Sequence, residues 1–155
     1  MSIQEKISAL GLSLPTAASP VAAYVPAVKS GNFIFTAGQL PVVDGKLVKE
    51  GKVGSDVTAE DAKELAQICA LNALAAISLV ADLDQVERVV RVGGFVNCAP
   101  GFIAIPGVVN GASELLIKIF GDLNGKHART AVGVAELPLN SPIEIEIIVE
   151  LRLVF

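Results

Sequence analysis

The residues best suited to chemistry lie near the end of the chain, in the segments His127–Pro138 and Ile143–Ile147. Their pattern predicts two strands joined by a turn, with Arg129 at the start of the first strand and Glu144 early in the second. An arginine presents a planar, permanently charged fork that binds a carboxylate through two parallel hydrogen bonds. A glutamate across a pocket from it can position or deprotonate a water molecule. This pair is the strongest indication of chemistry in a chain with few other catalytic side chains.

Side chains that bind metals are scarce. Cys69 and Cys98 are the only cysteines and form no Cys-x-x-Cys pair, and His127 is the only histidine. These three residues cannot supply the four ligands of an ordinary His/Cys zinc site, so the sequence predicts no metal. The two thiols are predicted to be reduced and mostly buried, while a disulfide between them stays an open alternative.

The composition predicts one domain, residues 1–155, that associates with other copies of itself. A chain of 155 residues is long enough to bury a core. Of its residues 52% are hydrophobic and only 18% are charged, and its mean hydropathy is +0.62. A lone soluble domain would expose much of this apolar surface to water, whereas a subunit interface covers it. The sequence therefore predicts a homo-oligomer.

Charge and hydropathy argue against nucleic-acid and membrane partners. A net charge of −4, with six Phe, one Tyr and no Trp, offers little to a phosphate backbone or to stacked bases. The apolar stretch Ala66–Leu83 is rich in alanine and includes Gln67, Asn72 and Asp82, which favours a buried helix over a membrane span. The N-terminus carries Glu5 and no strong apolar run, which argues against a signal peptide and predicts a cytoplasmic protein.

Periodicity, turn residues and caps divide the chain into strands and helices. Thr58 with Asp61 three residues later is a variant of the capping box and marks the start of a long helix. Apolar and charged residues alternate from Ile143 to Leu153, as in a strand with one buried face. Gly93-Gly94 indicates a bulge or a close approach within a strand. The first predicted elements are a leading helix, on which Ile3, Ile7 and Leu10 share one face, and a loop marked by Pro15 and Pro20. An edge strand at 24–28, a strand at 32–36 and a hairpin at 41–47 around Asp44-Gly45 follow. The rest of the chain is predicted to form a helix from Thr58 to about Val80, a strand at 86–97, a loop at 98–106, a helix at 108–120, and the two strands near Arg129 and Glu144.

The order of these elements after the leading helix is β-β-β-α-β-α-β-β. This order predicts an α+β domain, with a mixed sheet and the two long helices packed on one of its faces. The opposite face of the sheet stays open. In so apolar a chain, that open face is the natural place for subunits to meet.

Three segments of the chain resemble the YjgF/RidA family. They are Tyr24-Val25 with residues 31–41, Val109-Asn110 at the start of the second long helix, and residues 128–138 with Ile143–Glu146. The strand that contains Arg129, with its Leu-Pro and Ile-Glu-Ile-Glu, is the specific part of the resemblance. Together the segments span most of the chain from Tyr24 onward, and the first twenty or so residues are expected to lie outside the shared part.

The resemblance implies a chorismate-mutase-like fold, a homotrimer and an enamine/imine deaminase. In the family, 2-aminoacrylate and related imines released by pyridoxal-phosphate enzymes are hydrolysed to 2-keto acids and ammonia. The reaction takes place in clefts between neighbouring subunits and requires no cofactor. By position, Arg129 would bind the carboxylate of a 2-imino or 2-keto acid, and Glu144 would hold or activate the attacking water. Tyr24, Gly38 and Asn110 would line the cleft, and Gly38 would let the backbone approach the ligand.

Several positions differ from the common pattern of the family and predict a divergent subgroup. Ala131 lies at a substrate-binding position where many members carry a cysteine, so a reactive thiol is excluded there. At the other differing positions the family commonly has a proline where this chain has Ala23, a glutamine where it has Pro26, and a serine where it has Ala37. An acidic residue is common at the position of Gly133, and an aromatic-proline pair at the position of Lys126-His127.

Each candidate residue also has a purely structural interpretation. Arg129 can form a salt bridge at a strand end with Glu144, and Glu144 can be an exposed carboxylate on a charged face. Tyr24 can be an interface aromatic with a polar tip, and Asn110 can be a helix N-cap. His127 is expected to be a solvated loop residue rather than a general base.

Three classes of function remain open from the sequence. The pair of Arg129 and Glu144 favours hydrolysis of a small imine or enamine. The same cleft can instead hold a small carboxylate without turnover. A ribonuclease is the third class, against which the acidic charge balance, the few aromatic residues and the single histidine all argue.

Overall fold

The computed structural model describes residues 1–18 and 22–155, and the predicted loop residue Pro20 lies outside them. Seven strands and three α-helices follow one another along this part of the chain. Short 3-10 turns at Leu83–Gln85 and Pro138–Asn140 precede two of the strands. The elements are α1 (Ile3–Ala9), β1 (Ala27–Ser30), β2 (Phe33–Thr36), β3 (Val42–Val43), β4 (Lys46–Leu47), α2 (Ala59–Ile77), β5 (Val86–Asn97), α3 (Ile105–Gly125), β6 (Ala128–Val134) and β7 (Ile143–Leu151).

Five of the strands form one mixed sheet in the order β1-β2-β7-β5-β6. All neighbouring pairs are antiparallel except β5 and β6, which run parallel. A parallel pair needs a crossover, and α3 supplies it. The strands β3 and β4 form a separate hairpin whose turn residues Asp44 and Gly45 both have positive φ, as predicted for this dipeptide.

The two long helices pack side by side on one face of the sheet, which confirms the predicted α+β architecture. Helix α2 lies mainly over β7, and α3 lies over β5 and β6. The alternation predicted for the last strand decides which face they cover, because Ile143, Ile145, Ile147 and Val149 are all buried beneath them. Hydrophobic burial of this layer is the main stabilising contribution to the fold.

The capping pattern in the sequence predicted the start of α2 correctly, but its predicted end differs from the observed one. The Thr58 hydroxyl accepts a hydrogen bond from the Asp61 amide at 3.1 Å, as the capping pattern predicted. Helix α2 ends at Ile77 rather than near Val80. Leu10, predicted to share a helix face with Ile3 and Ile7, is the C-cap of α1 and is exposed, whereas the other two are buried.

Two predicted boundaries near candidate site residues were wrong. Strand β1 begins at Ala27 instead of Tyr24, because Pro26 has no amide hydrogen to donate to the ladder. Helix α3 begins at Ile105 instead of 108, since a proline is well tolerated in the first helical turn, where Pro106 lies. It continues to Gly125 across a kink at Gly121, which has positive φ.

Gly93 and Gly94 mark close approaches and not a bulge. A Cβ on Gly94 would lie 2.6 Å from Cγ1 of Val109 on α3, so this glycine lets the helix approach the sheet. The register shifts of β5 against β7 occur earlier, between Val86 and Arg91.

The face of the sheet opposite the helices is open in one chain, as predicted. Cross-strand pairing brings apolar side chains from several strands onto it. Its exposed apolar residues include Val28 at 51%, Phe35 at 45% and Val132 at 39% relative exposure.

Candidate functional site

The pairing of β6 with β5 decides which way Arg129 points. Arg129 lies opposite Val92, which in turn lies opposite Ile147 of β7. Residues directly opposite each other share a face of the sheet, and Val92 and Ile147 are buried under the helices. Arg129 therefore extends from the edge of the sheet toward α3.

The Arg129 guanidinium is held by neutral oxygen atoms of α3. Its Nη1 donates to Oδ1 of Asn110 at 2.7 Å and to Oγ of Ser113 at 3.3 Å, and its Nη2 donates to the Pro106 carbonyl at 3.4 Å. Within residues 1–18 and 22–155 no carboxylate forms an ion pair with it, so the alternative interpretation, a salt bridge to Glu144, does not hold for this part of the chain. Asn110 is likewise not an N-cap, because α3 begins five residues earlier.

His127 is half-buried and hydrogen-bonded at both ring nitrogens, which corrects the expectation of a solvated residue. Nε2 lies 2.9 Å from Oγ of Ser113, and Nδ1 lies 2.7 Å from the Gly125 carbonyl oxygen. Burial lowers the pKa of His127, the nearby Arg129 charge lowers it further, and the hydrogen bond to Gly125 opposes both. The neutral imidazole is therefore the favoured form.

Arg129, His127 and Ser113 line an open cleft of about 330 Å³ between the middle of α3 and the start of β6. Its walls combine cationic and hydroxyl groups with one apolar side chain. The lining residues are Ser113, Ile117, Lys126, His127 and Arg129. The Lys126 charge is offset by Asp122 at 2.8 Å, so the net positive charge of the cleft comes from Arg129 and suits a small anion.

Glu144 occupies the other face of the sheet. It lies opposite Phe95, on the side away from the helices, and its carboxylate covers the backbone of Gly38. A Cβ on Gly38 would lie 2.7 Å from Cδ of Glu144 and closer still to Oε1, so only glycine leaves room for this carboxylate. Burial raises the pKa of Glu144, and the neighbouring Glu146 carboxylate raises it further.

The candidate residues thus divide into two groups within one chain. Arg129 and Asn110 meet at the cleft, and Ala131 lies on the same face of β6, packed against the core. Glu144 and Gly38 meet on the open face. Tyr24 lies before β1 with 51% relative exposure. The arginine and the glutamate predicted to share a pocket face opposite sides of the sheet.

Sequence reasoning missed Ser113, which contacts both Arg129 and His127. Ser113 follows Asn110 by three residues, and residues three apart lie on the same face of a helix. The predicted helix at 108–120 already contains both residues, so this spacing was the signal that could have indicated Ser113 as a neighbour of Asn110. The cysteines are free, as expected, with Cys69 buried and Cys98 half-buried beside Gly133.

A family model described as "YjgF/chorismate_mutase-like, putative endoribonuclease" matches residues 4–151. The chain belongs to the YjgF family. The match begins within α1, so the expectation that the first twenty residues lie outside the shared part was wrong.

Individual relatives in sequence and in solved structure are similar to this YjgF-family chain over nearly its whole length. Protein TCP17 of Trypanosoma cruzi is 39% identical and covers 97% of this chain and 94% of its own length. The solved structure of protein Atu1372 of Agrobacterium tumefaciens is 41% identical, covers 98% of this chain and 94% of that one, and has a TM-score of 0.88. A solved structure from Shewanella oneidensis, called "a putative endoribonuclease", is 31% identical, covers 97% and 100%, and has a TM-score of 0.93.

The described residues of this YjgF-family chain contain neither a membrane-spanning helix nor a cluster of metal-binding side chains. No helix in the described ranges is long and apolar enough to cross a bilayer. In the same part of the chain, no three His, Cys, Asp or Glu side chains cluster so as to hold a metal ion.

Replacing Glu144 with glutamine is expected to stabilise the protein slightly at pH 7. A carboxyl whose pKa is raised by folding favours the native state fully only below its ordinary pKa of about 4.3, and this contribution is lost as the pH rises through the native pKa. The gain should stay below about 1 kcal/mol because the side chain is only half-buried. Urea unfolding at pH 7 and pH 4.5 measures it, with exposed Glu64→Gln as the control. A less stable Glu144→Gln protein at pH 7 would contradict the prediction and indicate a cation beside Glu144.

Proposed function

We propose that the chain is an enamine/imine deaminase, which hydrolyses 2-imino acids of the 2-aminoacrylate type to 2-keto acids and ammonia. The observation that carries the proposal is the Arg129 guanidinium, held in an open cleft by three neutral acceptors and by no described carboxylate. A half-buried cation without a counter-ion is costly, and an anionic ligand offsets that cost.

The hydrogen bonds of Arg129 leave a fork for the ligand. A guanidinium has five N–H donors, of which the two on Nη1 and one on Nη2 are used by α3. The N–H of Nε and the second N–H of Nη2 have no partner among the described residues. Two adjacent donors are what a carboxylate binds in bidentate fashion. The 2.7 Å hydrogen bond from Nη1 of Arg129 to Oδ1 of Asn110 holds the guanidinium in one orientation.

Both Arg129 and Glu144 can act on one substrate only if two copies of the chain meet. The two residues face opposite sides of the sheet in a single copy. A second copy whose open face covers the cleft would bring its Glu144, Gly38 and Tyr24 to the Arg129 and Asn110 of the first. The exposed apolar residues of the open face support such an interface. A homotrimer with clefts between subunits, as the family resemblance implies, meets this requirement.

The reaction makes modest demands, which these residues meet. The imine carbon is already electrophilic, so hydrolysis needs an oriented substrate, a placed water and proton transfer. Arg129 binds the substrate carboxylate, with Asn110 and Ala131 on its side of the cleft. Glu144 holds the attacking water, and the raised pKa of its carboxyl makes it a better base.

Release of ammonia and keto acid from a freshly generated 2-imino acid tests the proposal. Turnover by the wild-type protein is expected, and Glu144→Gln is expected to lower kcat about 100-fold with little change in the Kd of a 2-keto acid. Equal losses in kcat and in affinity would make Glu144 a binding residue instead. A folded wild-type protein that binds the keto acid without turnover would overturn the enzyme and leave a trimeric carboxylate-binding protein.

A further inference from the structure

The cleft contains a hydrogen-bond chain that the proposed function does not use. It runs from the Gly125 carbonyl through both ring nitrogens of His127 and through Oγ of Ser113 to Arg129. Both Ser113 and His127 line the cleft beside the guanidinium. A serine hydroxyl within reach of an imidazole whose other nitrogen is fixed by a third group is a geometry suited to proton transfer.

The partners determine the direction of every bond in the chain. A carbonyl oxygen can only accept, so Nδ1 of His127 carries the hydrogen and donates to Gly125 over 2.7 Å. In the neutral imidazole Nε2 then accepts, and the Ser113 hydroxyl donates to it over 2.9 Å. Ser113 has two lone pairs, and Arg129 uses one of them. The second lone pair has no donor among residues 1–18 and 22–155 and can receive a proton from a substrate in the cleft.

We propose that Ser113 and His127 form the proton acceptor that completes the deamination, an inference that rests on the function proposed above. Water adds to the carbon of the protonated imine, and one of its protons passes through Glu144 to the nitrogen, giving a carbinolamine whose nitrogen is an ammonium group. As the adduct collapses, its hydroxyl proton moves to Oγ of Ser113, whose own proton moves to Nε2 of His127. The C=O bond forms, the C–N bond breaks with its electron pair on nitrogen, and ammonia leaves. His127 then returns its proton to ammonia or to solvent.

The charges around His127 suit this role. Arg129 faces it from β6, and Lys126 precedes it in the chain with its amine paired to Asp122 of α3. No carboxylate in the described residues lies at ion-pair distance from the ring. Burial, with a smaller contribution from the Arg129 charge, lowers the pKa of His127, which keeps the ring neutral and able to accept a proton and makes the protonated ring release that proton readily.

Two substitutions at His127 separate proton transfer from positioning. In His127→Gln the amide oxygen can still accept from Ser113, and in His127→Asn the amide nitrogen can still donate to Gly125, but neither accepts a proton. Both variants are expected to lose about 100-fold in kcat with KM changed less than about threefold. A raised KM with unchanged kcat, or loss in only one of the two variants, would overturn the proposal in favour of a positioning role.

The pH dependence provides a second readout in the wild-type protein. Because His127 is the only histidine, ¹⁵N NMR reports its tautomer and its pKa without ambiguity. We expect the Nδ1–H tautomer, a pKa below the ordinary value of about 6.5, and a kcat that falls on acidification with the same midpoint. His127→Gln should lack that limb. An Nε2–H tautomer in the wild-type protein would overturn the proposal even if the variant failed to fold. Persistence of a limb with the His127 midpoint in His127→Gln would also overturn it, whereas a limb with another midpoint belongs to Glu144.

Turnover measurements on the wild type and on both His127 variants distinguish failure of the Ser113 and His127 role from failure of the proposed deaminase. Turnover by the wild type that survives in both His127 variants would overturn the role of Ser113 and His127 and leave the deaminase intact. No turnover by the wild type would overturn both.

Discussion

Arg129→Ala is expected to lower kcat/KM for 2-imino acids about 10³-fold while leaving the fold intact. Truncating one partner of a hydrogen-bonded charge pair costs about 4 kcal/mol, and each 1.4 kcal/mol is about tenfold in rate. The free energy of unfolding should change by less than about 1 kcal/mol, because Ser113 borders the open cleft and Asn110 is only partly buried, so water can replace the guanidinium at both acceptors. Ammonia release, together with urea unfolding, measures both quantities.

Arg152→Ala is the matched control for this loss of charge. Arg152 is exposed and pairs with Glu87 at 3.1 Å on the surface, far along the sequence from the cleft residues. It is expected to keep full activity. Arg129→Lys keeps the charge but not the planar fork, so it should recover only part of kcat/KM. A folded Arg129→Ala protein with normal kcat/KM would remove the deaminase site from this cleft.

Gly111→Ala is expected to be the most destabilising of the conservative substitutions. Gly111 lies where α3 crosses α2, and a Cβ there would lie 2.8 Å from the carbonyl carbon of Lys63 and closer still to its oxygen. The obstacle is helix backbone, which cannot move aside as a side-chain tip can, so the two helices must separate. A loss of about 3 kcal/mol follows, equivalent to a fall in Tm of about 10 °C for a protein of this size.

Gly107→Ala, on the same helix, is the control. A Cβ on Gly107 meets nothing within 4 Å, and alanine is the better helix former by about 1 kcal/mol. Thermal unfolding should therefore give an unchanged or slightly higher Tm for Gly107→Ala and a much lower one for Gly111→Ala. Equal Tm values in the two variants would mean that α2 and α3 are not in tight contact. Because Gly111 adjoins Asn110, the separated helices should also weaken binding of a 2-keto acid.

Much of the fold follows from short-range patterns in the sequence. Thr58 with Asp61 marks the start of α2, Asp44-Gly45 marks the hairpin turn, and the alternation from Ile143 identifies β7 and its buried face. Each of these signals depends on residues within a few positions of one another, so no knowledge of distant contacts is needed. The boundaries at Ala27 and Ile105 were missed because prolines near an element's end can lie inside or outside it.

The sequence by itself determined which residues are candidates for the chemistry, and only the tertiary structure decided how they face one another. Arg129 and Glu144 stand out in the sequence because their side chains suit this chemistry and because they match positions of the YjgF family. β6, however, has no clear alternation of buried and exposed residues. Its face depends on pairing with Val92, and a shift of one residue would turn Arg129 to the other side. That register is a contact between distant segments. It separates Arg129 from Glu144 and brings Arg129 together with Ser113 and His127.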